Sequence, residues 1–332
     1  MAKKTVVIVP MPGTYMLDIA GPCDVFAAAD QILREGLGTE GAGSGYNILL
    51  AAYGDEKTVP TRSGITMICP LTVDEITEPI DTFIVAGFPM ALIQAGDRRL
   101  INWLKKNYPR LRRVGSICVG TYALAEAGIL DGKNATTHWE HSRSFQEKYP
   151  SICVDTNPFY TKDGNVYTSG GVSSGVDLAM ALVEEDYGRE VAIQVARKLV
   201  LYLKRPGYQS QFANLLQLHS VANSLAGKLR PWILEHLDKE MGVEELATHL
   251  NMSIRNFTRV FTRETGMTPA KFVEKLRVEI ARKYLEDSDY SMEQIATRCG
   301  LGGVVSMRRV FLRHMNVTPS DYRRTFRTSF AD

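Results

Sequence analysis

The sequence has few cysteines and no long apolar run. Its five cysteines are scattered over 332 residues, and no two of them form a Cys-x-x-Cys pair. We therefore expect no disulfide framework, and we expect the reducing environment of the cytoplasm. No apolar stretch approaches the roughly 20 residues that a membrane-spanning helix needs, so we expect no membrane partner. The opening MAKKTVVIVP lacks the apolar core and cleavage site of a secretory signal and predicts a first strand.

The chain also lacks a strong net charge, but its charge is unevenly distributed. The formal net charge is +2 at pH 7. From Lys228 onwards, 18 Lys and Arg residues stand against 14 Asp and Glu residues, whereas the part before it has 21 against 23. A basic C-terminal third indicates a polyanion partner, although this excess alone is small. The hydrophobic share of 45% and the length favour a globular protein of two domains.

The first two-thirds of the chain alternates strand and helix patterns. Short apolar runs predict five strands at Thr5–Pro10, Tyr46–Tyr53, Thr82–Ala86, Val114–Cys118 and Val166–Ser169. Longer stretches predict helices at Asp97–Asn107, Thr121–Ala127, Trp139–Lys148, Ser173–Asp186 and Arg189–Leu203. The strands are apolar on both faces, which suits a parallel sheet covered by helices on each side. We predict a doubly wound, flavodoxin-like α/β domain over residues 1–212.

The pattern changes after LKRPGYQSQFA, which occupies residues 203–213. Pro206 and Gly207 end the last helix of the sheet domain, and only helices and short turns are predicted beyond them. We place a linker at residues 213–227, with a helix beginning near Leu229. An all-α domain is predicted over residues 228–332.

The all-α part contains an internal repeat. The segment NFTRVFTRETGMTPAKF (Asn256–Phe272) matches SMRRVFLRHMNVTPSDY (Ser306–Tyr322), and EELATHLNM (Glu244–Met252) matches EQIATRCGL (Glu293–Leu301) upstream. Such paired identities predict two copies of one supersecondary structure. Each copy has the pattern of a short helix, a tight turn and a longer helix with a basic outer face, which is typical of a helix-turn-helix. A plain helical bundle with solvated arginines is the alternative.

Residues 228–330 resemble the AraC/XylS-type DNA-binding domain, which has two such units joined by a long helix, here Pro269–Leu285. The carrying motif is TPSDYRR at residues 318–324. The resemblance places recognition helices at Ser253–Thr265 and Gly303–Met315, with Ser253 as an N-cap. It implies a double-stranded DNA operator as partner.

The residue types on these helices suggest how DNA is contacted. Arg255, Asn256 and Arg259 are expected at base edges, since Arg suits guanine and Asn suits adenine. The remaining predicted DNA-binding residues are Arg263, Ser306, Arg308, Arg309 and Arg313, and their arginines are expected at phosphates. The second unit departs from the family pattern in GGVVSM (Gly302–Met307), where two glycines weaken the cap and two valines can only touch thymine methyls.

One cysteine of the α/β part stands in a distinctive context. Cys118 lies in RRVGSICVGTYALAEAGILDG (Arg112–Gly132), between a strand pattern and a small-residue helix. A strand followed sharply by Cys-x-Gly and a helix predicts an elbow that presents the side chain at the sheet edge. Backbone N–H groups at a helix N-terminus can lower a thiol pKa there. A buried, chemically inert cysteine is the alternative.

The span 5–211 resembles the PfpI-like branch of the class I glutamine amidotransferase-like superfamily, and within it the GlxA-type regulators. The carrying stretches are MLDIAGPCDVF, FIVAGFP, GSICVGTYALAEAGILDGKNATTHW, YTSGGVSSGVDLAMALVE and RPGYQSQF. The resemblance pairs the elbow cysteine Cys118 with the carboxylate Asp18. It also implies a cradle of N–H groups near Gly87 and Val119, and a histidine at His138.

Several residues argue against a working hydrolase. No histidine follows Cys118. Val119 stands where the related isonitrile hydratases have a threonine, so the side chain beside the cysteine can neither donate nor accept a proton. Phe88 and its neighbouring proline narrow the mouth of the predicted pocket. The alternative for His138 is a buried histidine with only a structural role. The alternative for Asp18 is a helix cap. Phe88, Trp139 and Tyr15 are candidates for an aromatic wall around a cation.

The sequence thus predicts a transcription regulator that binds DNA and senses a small effector in a non-catalytic pocket. The predicted ligand-contacting residues are Asp18, Gly87, Phe88, Cys118, Val119, His138 and Trp139. The resemblance suggests a nitrogenous effector, such as an amino acid or a quaternary amine. We expect a homodimer, with RNA polymerase as a further candidate partner, and no metal or cofactor. An isonitrile-hydratase-like or amidase-like cysteine enzyme and a thiol redox sensor remain as alternatives.

Overall fold

The computed structural model describes residues 3–36, 44–94, 98–203, 209 and 224–326. The chain divides into two compact units, Met1–Arg205 and Pro206–Asp332. Most of the predicted linker at residues 213–227 lies outside the described residues. Its last three residues belong to a helix that begins at Leu225, four residues before the predicted start.

The first unit is built on a seven-stranded sheet in the order β10-β11-β7-β6-β1-β2-β5. All neighbouring pairs are parallel except the hairpin of β10 and β11. The strands of this sheet are β1 (Lys4–Val9), β2 (Tyr46–Ala52), β5 (Leu71–Thr72), β6 (Thr82–Val85), β7 (Arg113–Ile117), β10 (Tyr160–Asp163) and β11 (Val166–Ser169). Two small two-stranded sheets are formed by β3 (Thr58–Pro60) with β4 (Thr66–Ile68), and by β8 (Asn134–Ala135) with β9 (Cys153–Val154).

Helices accompany this sheet, as the doubly wound prediction requires. They are α1 (Leu17–Arg34), α2 (Ala91–Gln94), α3 (Arg99–Asn107), α4 (Thr121–Glu126), α5 (Ser142–Lys148) and α6 (Ser174–Leu199). The central strands β1 and β6 are buried along almost their whole length, because every residue from Val6 to Val9 and from Phe83 to Val85 is apolar. The predicted α/β fold class is therefore confirmed, and the sheet separates two apolar layers.

The helix α1 is not among the helices predicted from the sequence patterns, and only the alternative role of Asp18 as a helix cap implied a helix beginning at Ile19. Its first half contains Gly21 and Pro22, residues that normally weaken a helix. Packing outweighs this cost, because α1 lies against α6 and Gly21 permits the close approach. A Cβ on Gly21 would stand 2.6 Å from Cγ2 of Val176. The two helices predicted at residues 173–186 and 189–203 correspond to the two halves of α6, which Gly188 separates with a non-helical backbone and a φ of 84°.

The second unit contains only helices among its described residues. They are α7 (Leu225–Glu235), α8 (Val243–His249), α9 (Ile254–Thr265), α10 (Pro269–Asp287), α11 (Met292–Arg298), α12 (Val304–Met315) and α13 (Pro319–Phe326). The repeat seen in the sequence appears as two helix pairs, α8 with α9 and α11 with α12, joined by the long α10. Phe257 and Phe261 of α9 and Phe311 of α12 are fully buried in one apolar core. The predicted all-α domain with two helix-turn-helix units is confirmed.

Among the described residues, no helix is long and apolar enough to cross a membrane. No group of three or more His, Cys, Asp or Glu residues within the described ranges could hold a metal ion.

Candidate functional site

The carboxyl ends of β1, β6 and β7 meet at one edge of the sheet, where the strand order reverses around β1. Crevices at such a switch point are the usual ligand sites of open α/β sheets. The first turn of α1 follows β1 and carries Asp18, residues 86–90 follow β6, and Cys118 follows β7 directly. The predicted pocket residues therefore come from three different crossover connections.

The elbow predicted at Cys118 has a strained backbone. Cys118 adopts a φ of 57°, a left-handed conformation that residues other than glycine rarely adopt. The side-chain hydroxyls of Thr121 and Thr137 both donate to the Cys118 carbonyl oxygen at 3.0 Å and hold the turn. Gly120 is required here, because a Cβ at that position would stand 2.5 Å from the Val85 carbonyl oxygen.

Asp18 lies beside this elbow. Its side chain is 1% exposed, and Gly87 separates it from the cysteine, since a Cβ on Gly87 would be 2.6 Å from Asp18 Oδ2 and 3.0 Å from Cys118 Cβ. Neither carboxylate oxygen has a hydrogen-bond partner among the described residues. Burial raises the pKa of Asp18 to about 7, and the nearby Gly87 N–H and Thr14 hydroxyl, which lie outside hydrogen-bonding geometry, oppose the rise only in part. Asp18 does not serve as a cap, because the N-cap position of α1 is Met16.

The thiol of Cys118 is buried and protonated at neutral pH. Burial raises its pKa to about 12, and the charges of Asp18 and Glu140 add to the rise against the opposing Val119 N–H. A thiolate is the nucleophilic form of cysteine. This environment therefore opposes nucleophilic chemistry, and Val119 supplies no side-chain proton donor or acceptor beside the sulfur.

His138 is half-buried, and its surroundings lower its pKa, chiefly through burial. Its Nδ1 accepts a hydrogen bond of 3.3 Å from the Glu140 backbone N–H and lies 3.7 Å from the Glu140 carboxylate. Trp139 has its ring centroid 5.5 Å from that of His138. It is not among the residues that line the cavity, which corrects the prediction of Trp139 as part of a ligand-facing aromatic wall.

A cavity of about 370 Å³ opens at this edge of the sheet. It is lined by six of the seven residues predicted to contact a ligand: Asp18, Gly87, Phe88, Cys118, Val119 and His138. Sequence reasoning missed three charged or titratable residues that also line it, Arg62, Glu140 and His141. Arg62 comes from the turn between β3 and β4, and its guanidinium lies 5.2 Å from the centre of the Tyr15 ring. The residue types of Arg62, Ser63 and Gly64 are typical of a turn, but no sequence pattern shows which part of the fold that turn packs against.

In the second unit, α9 presents an exposed polar face. Arg255, Asn256, Arg259 and Arg263 are all exposed, and none of the three arginines has an ion pair among the described residues. The Ser253 hydroxyl accepts from the Asn256 N–H at 3.4 Å, so the predicted N-cap is present. Arg259 donates to the Asn256 side chain at 3.0 Å, which orders the two side chains relative to each other.

The second long helix differs at its start. The N-cap position of α12 is Gly303, which has a φ of 91° and makes no capping hydrogen bond, and Val305 is 86% exposed. Arg308 and Arg309 are exposed, whereas Ser306 is partly buried. Arg313 lies 3.3 Å from the Glu274 carboxylate and is the one predicted phosphate contact already held by a neighbouring acid in the described residues.

Comparison with known proteins finds both halves of the chain in characterised families. Residues 3–185 match the DJ-1/PfpI family, and residues 246–325 match a helix-turn-helix domain family. These matches agree with the two domain types that the sequence motifs resemble.

Named relatives include transcriptional regulators from two bacteria. The HTH-type transcriptional regulator CdhR of Pseudomonas aeruginosa is 32% identical over 73% of this chain and 71% of its own length. The HTH-type transcriptional regulator GlxA of Rhizobium meliloti is 27% identical over 80% of this chain and 82% of its own. A crystal structure from Vibrio parahaemolyticus, described as that of a transcriptional regulator, is similar in fold. It has a TM-score of 0.51 and 22% identity over 59% of this chain and 99% of that one.

Proposed function

We propose, from the premise that this chain belongs to the DJ-1/PfpI family and carries an AraC-type helix-turn-helix domain, that it controls transcription in response to a small effector. The helix-turn-helix domain binds a specific double-stranded operator. The α/β domain binds the effector in the cavity beside Asp18 and Cys118 and joins two chains into a homodimer. The proposal includes a cytoplasmic location and RNA polymerase as a further partner.

One observation carries the DNA-binding half of the proposal. The exposed face of α9 holds Arg255, Asn256 and Arg259 without competing acids, on a helix whose start is capped by Ser253. These are the donor types that read guanine and adenine in the major groove. Two such units in one chain enter successive grooves about 34 Å apart.

The effector half rests on the unpartnered carboxylate of Asp18. A buried acceptor without a hydrogen-bond donor is costly, and a chain retains it where a ligand supplies the donor. A nitrogenous cation meets this need, which agrees with the amino acids or quaternary amines that the family resemblance suggested.

The rival function is a cysteine enzyme of the isonitrile-hydratase or amidase kind that also carries a DNA-binding domain. The high pKa of the Cys118 thiol and the valine beside it favour a binding pocket over a nucleophile. Turnover of isonitriles and amides by the purified full chain separates the two functions. Turnover that disappears in Cys118→Ala would favour the enzyme.

The experiment that tests the proposal has two arms, both with the full chain. In the first, binding to labelled duplex DNA must weaken steeply as salt is raised, because phosphate contacts release counterions. In the second, a metabolite screen must find a molecule that raises the melting temperature, since a ligand that binds only the native state stabilises it. DNA binding without any such molecule would leave a regulator with no sensor.

The homodimer has its own measurement. A single domain of this kind reads a short site, and joining two of them multiplies affinity through a high effective concentration. Sedimentation of the full chain at micromolar concentration should therefore give the mass of two chains. A monomer, with or without DNA, would remove the homodimer from the proposal.

A further inference from the structure

The cavity of the α/β domain contains one carboxylate and one guanidinium that have no ion pair among the described residues. Asp18 is buried, and both of its oxygens lack a donor. Arg62 is exposed and also lines the cavity. A volume of about 370 Å³ lies at the small end of the roughly 300–1,000 Å³ of typical ligand pockets, so the occupant is a small metabolite.

We propose that the cavity binds a zwitterion whose nitrogen cation carries at least two N–H donors, and that it rejects quaternary ammonium compounds. The nitrogen cation, a primary ammonium or a guanidinium, donates to Asp18. The carboxylate of the same molecule binds the Arg62 guanidinium. This inference rests on the proposed sensing function and narrows its ligand class.

The number of donors follows from the number of acceptors. The Asp18 carboxylate offers two oxygens that no group of the described chain satisfies. A primary ammonium has three N–H donors and a guanidinium has five, so either can satisfy both oxygens. A trimethylated nitrogen has none, and its methyl groups would leave both buried acceptors unsatisfied, which is the costly state.

The aromatic surface of the cavity supports the same choice. Quaternary ammonium ligands are usually held over several aromatic faces. Here the Arg62 guanidinium already lies over the Tyr15 ring, and Trp139 does not line the cavity. Phe88 and Tyr15 line the cavity, and two rings, one of them already covered by Arg62, offer less aromatic surface than a cage of several rings.

The position of Arg62 is fixed by its turn. Its backbone N–H donates to the Thr14 carbonyl oxygen at 2.9 Å, and the Thr61 hydroxyl donates to the Ile65 carbonyl oxygen across the turn. Arg62 therefore lies next to the segment that leads into α1 and Asp18. A planar guanidinium that is not already paired binds carboxylates in a bidentate manner.

The other charged and titratable residues that line the cavity agree with this orientation. Glu140 lies 3.7 Å from Nδ1 of His138, and His141 is the next titratable neighbour. A ligand carboxylate beside Glu140 would meet a like charge, whereas one beside Arg62 meets an opposite charge. The Cys118 thiol, whose pKa is raised by burial, is uncharged at neutral pH and does not compete.

The test is a calorimetric titration of the full chain with matched probes. The screening panel is the twenty standard amino acids and γ-aminobutyrate. Each matched probe changes one feature of a parent molecule. Agmatine is arginine without its carboxylate, and n-butylamine is γ-aminobutyrate with a methyl group in place of its carboxylate. γ-Butyrobetaine is γ-aminobutyrate with a trimethylated nitrogen. We expect at least one zwitterion with a primary ammonium or guanidinium to bind. Removal of its carboxylate, or trimethylation of its nitrogen, should weaken binding at least tenfold.

Two variants test which residue binds the nitrogen cation of the ligand and which binds its carboxylate. Arg62→Gln should weaken the zwitterion at least tenfold but leave the probe without a carboxylate unchanged, whereas Asp18→Asn should weaken both. Arg143→Gln, which changes an exposed arginine of α5 outside the cavity, should affect neither. Equal losses for both probes in Arg62→Gln would contradict the role of Arg62.

The inference and the proposed function fail in different ways. A quaternary ammonium compound that binds as tightly as its primary counterpart, or a panel in which no zwitterion binds, would overturn the inference. In either case, a molecule from the wider metabolite screen that binds through Asp18 would leave the proposed sensing intact. If no metabolite binds at all, the sensing function fails together with the inference.

Discussion

The cavity of the α/β domain and the exposed face of α9 are two functional regions built on opposite physical principles. In the cavity, Asp18 is buried without a partner and Cys118 is held in a strained backbone conformation. On α9, Arg255 and Arg259 are exposed and free of ion pairs among the described residues. The cavity therefore costs the fold stability, whereas the helix face costs it almost nothing. Substitutions in the two regions should affect stability differently even where both abolish function.

The largest effect is expected for Asp18→Asn. The pKa of Asp18 is raised from 3.8 to about 7, so between these values the folded state holds a proton that the unfolded state has lost. Stability is then lost as pH rises through this window, by up to about 4 kcal/mol at 1.36 kcal/mol for each pKa unit. The uncharged asparagine avoids this loss. The melting temperature of the Asp18→Asn variant should therefore exceed that of the native chain by several degrees at pH 8.

The pH dependence provides the control for this prediction. Near pH 4 the native carboxyl is largely protonated in the folded state, so the difference in melting temperature between Asp18→Asn and the native chain should shrink. The same variant should lose ligand-dependent stabilisation at every pH. A variant that is less stable than the native chain at pH 8 would contradict the comparison between the two regions.

Arg259→Ala should have the next largest effect, and on binding alone. Loss of a base contact should cost roughly 1–3 kcal/mol on the operator and relax specificity at one position. Arg309→Ala, the matched change in the second unit, should weaken all DNA sequences more evenly, because we predict that Arg309 contacts phosphate. Fluorescence anisotropy on specific and random duplexes measures both. Neither variant should change the melting temperature. If each variant lost the same factor of affinity for the specific and the random duplex, the assigned roles would be contradicted.

Ser253→Ala sharpens the comparison, because the Ser253 hydroxyl caps the helix that carries Arg259. Removal of an N-cap costs about 1 kcal/mol. Thermal unfolding should show this loss, in contrast to Arg259→Ala on the same helix. Thr258→Ala, on a partly buried position of α9 beyond the cap, is the control for a lost hydroxyl. An unchanged melting temperature in Ser253→Ala would mean that the cap adds no stability.

The smallest effect is expected for Cys118→Ala. A buried, protonated thiol that only lines the cavity can be replaced with a modest shift in ligand affinity and no change in DNA binding. Titration of the effector into both proteins measures this. Complete loss of the response, together with loss of a catalytic turnover, would show instead that Cys118 acts as a nucleophile. Loss of operator binding under mild peroxide, restored by reductant, would indicate the redox sensor.

The sequence allowed the prediction of elements whose signals are local. Apolar runs located β1, β2, β6, β7 and β11 within a residue or two, and the repeat located both recognition helices. The elbow at Cys118 was predictable because the Cys-x-Gly pattern reflects a local turn. The helix α1 was implied only by the alternative role of Asp18 as a helix cap, because Gly21 and Pro22 argue against a helix locally, while packing on α6 stabilises it.

The cavity was predictable only in part for the same reason. Resemblance to a family identified Asp18 and Cys118, but no local pattern links the turn at Arg62 to them, since 44 residues separate Arg62 from Asp18 along the chain. Trp139 was expected in the cavity as part of an aromatic wall around a cation, yet it is not among the residues that line the cavity. Burial and the absence of a partner at Asp18 are properties of the fold that no sequence pattern displays.

The central claim, that this chain reads a defined DNA sequence, is tested most directly by selection from random duplexes. The full-length protein should enrich a motif with two blocks about one helical turn apart, one for each recognition helix. The same selection with Arg259→Ala should lose one position in one block and retain the other. A native protein that enriches no motif, or a motif unchanged by Arg259→Ala, would contradict the claim.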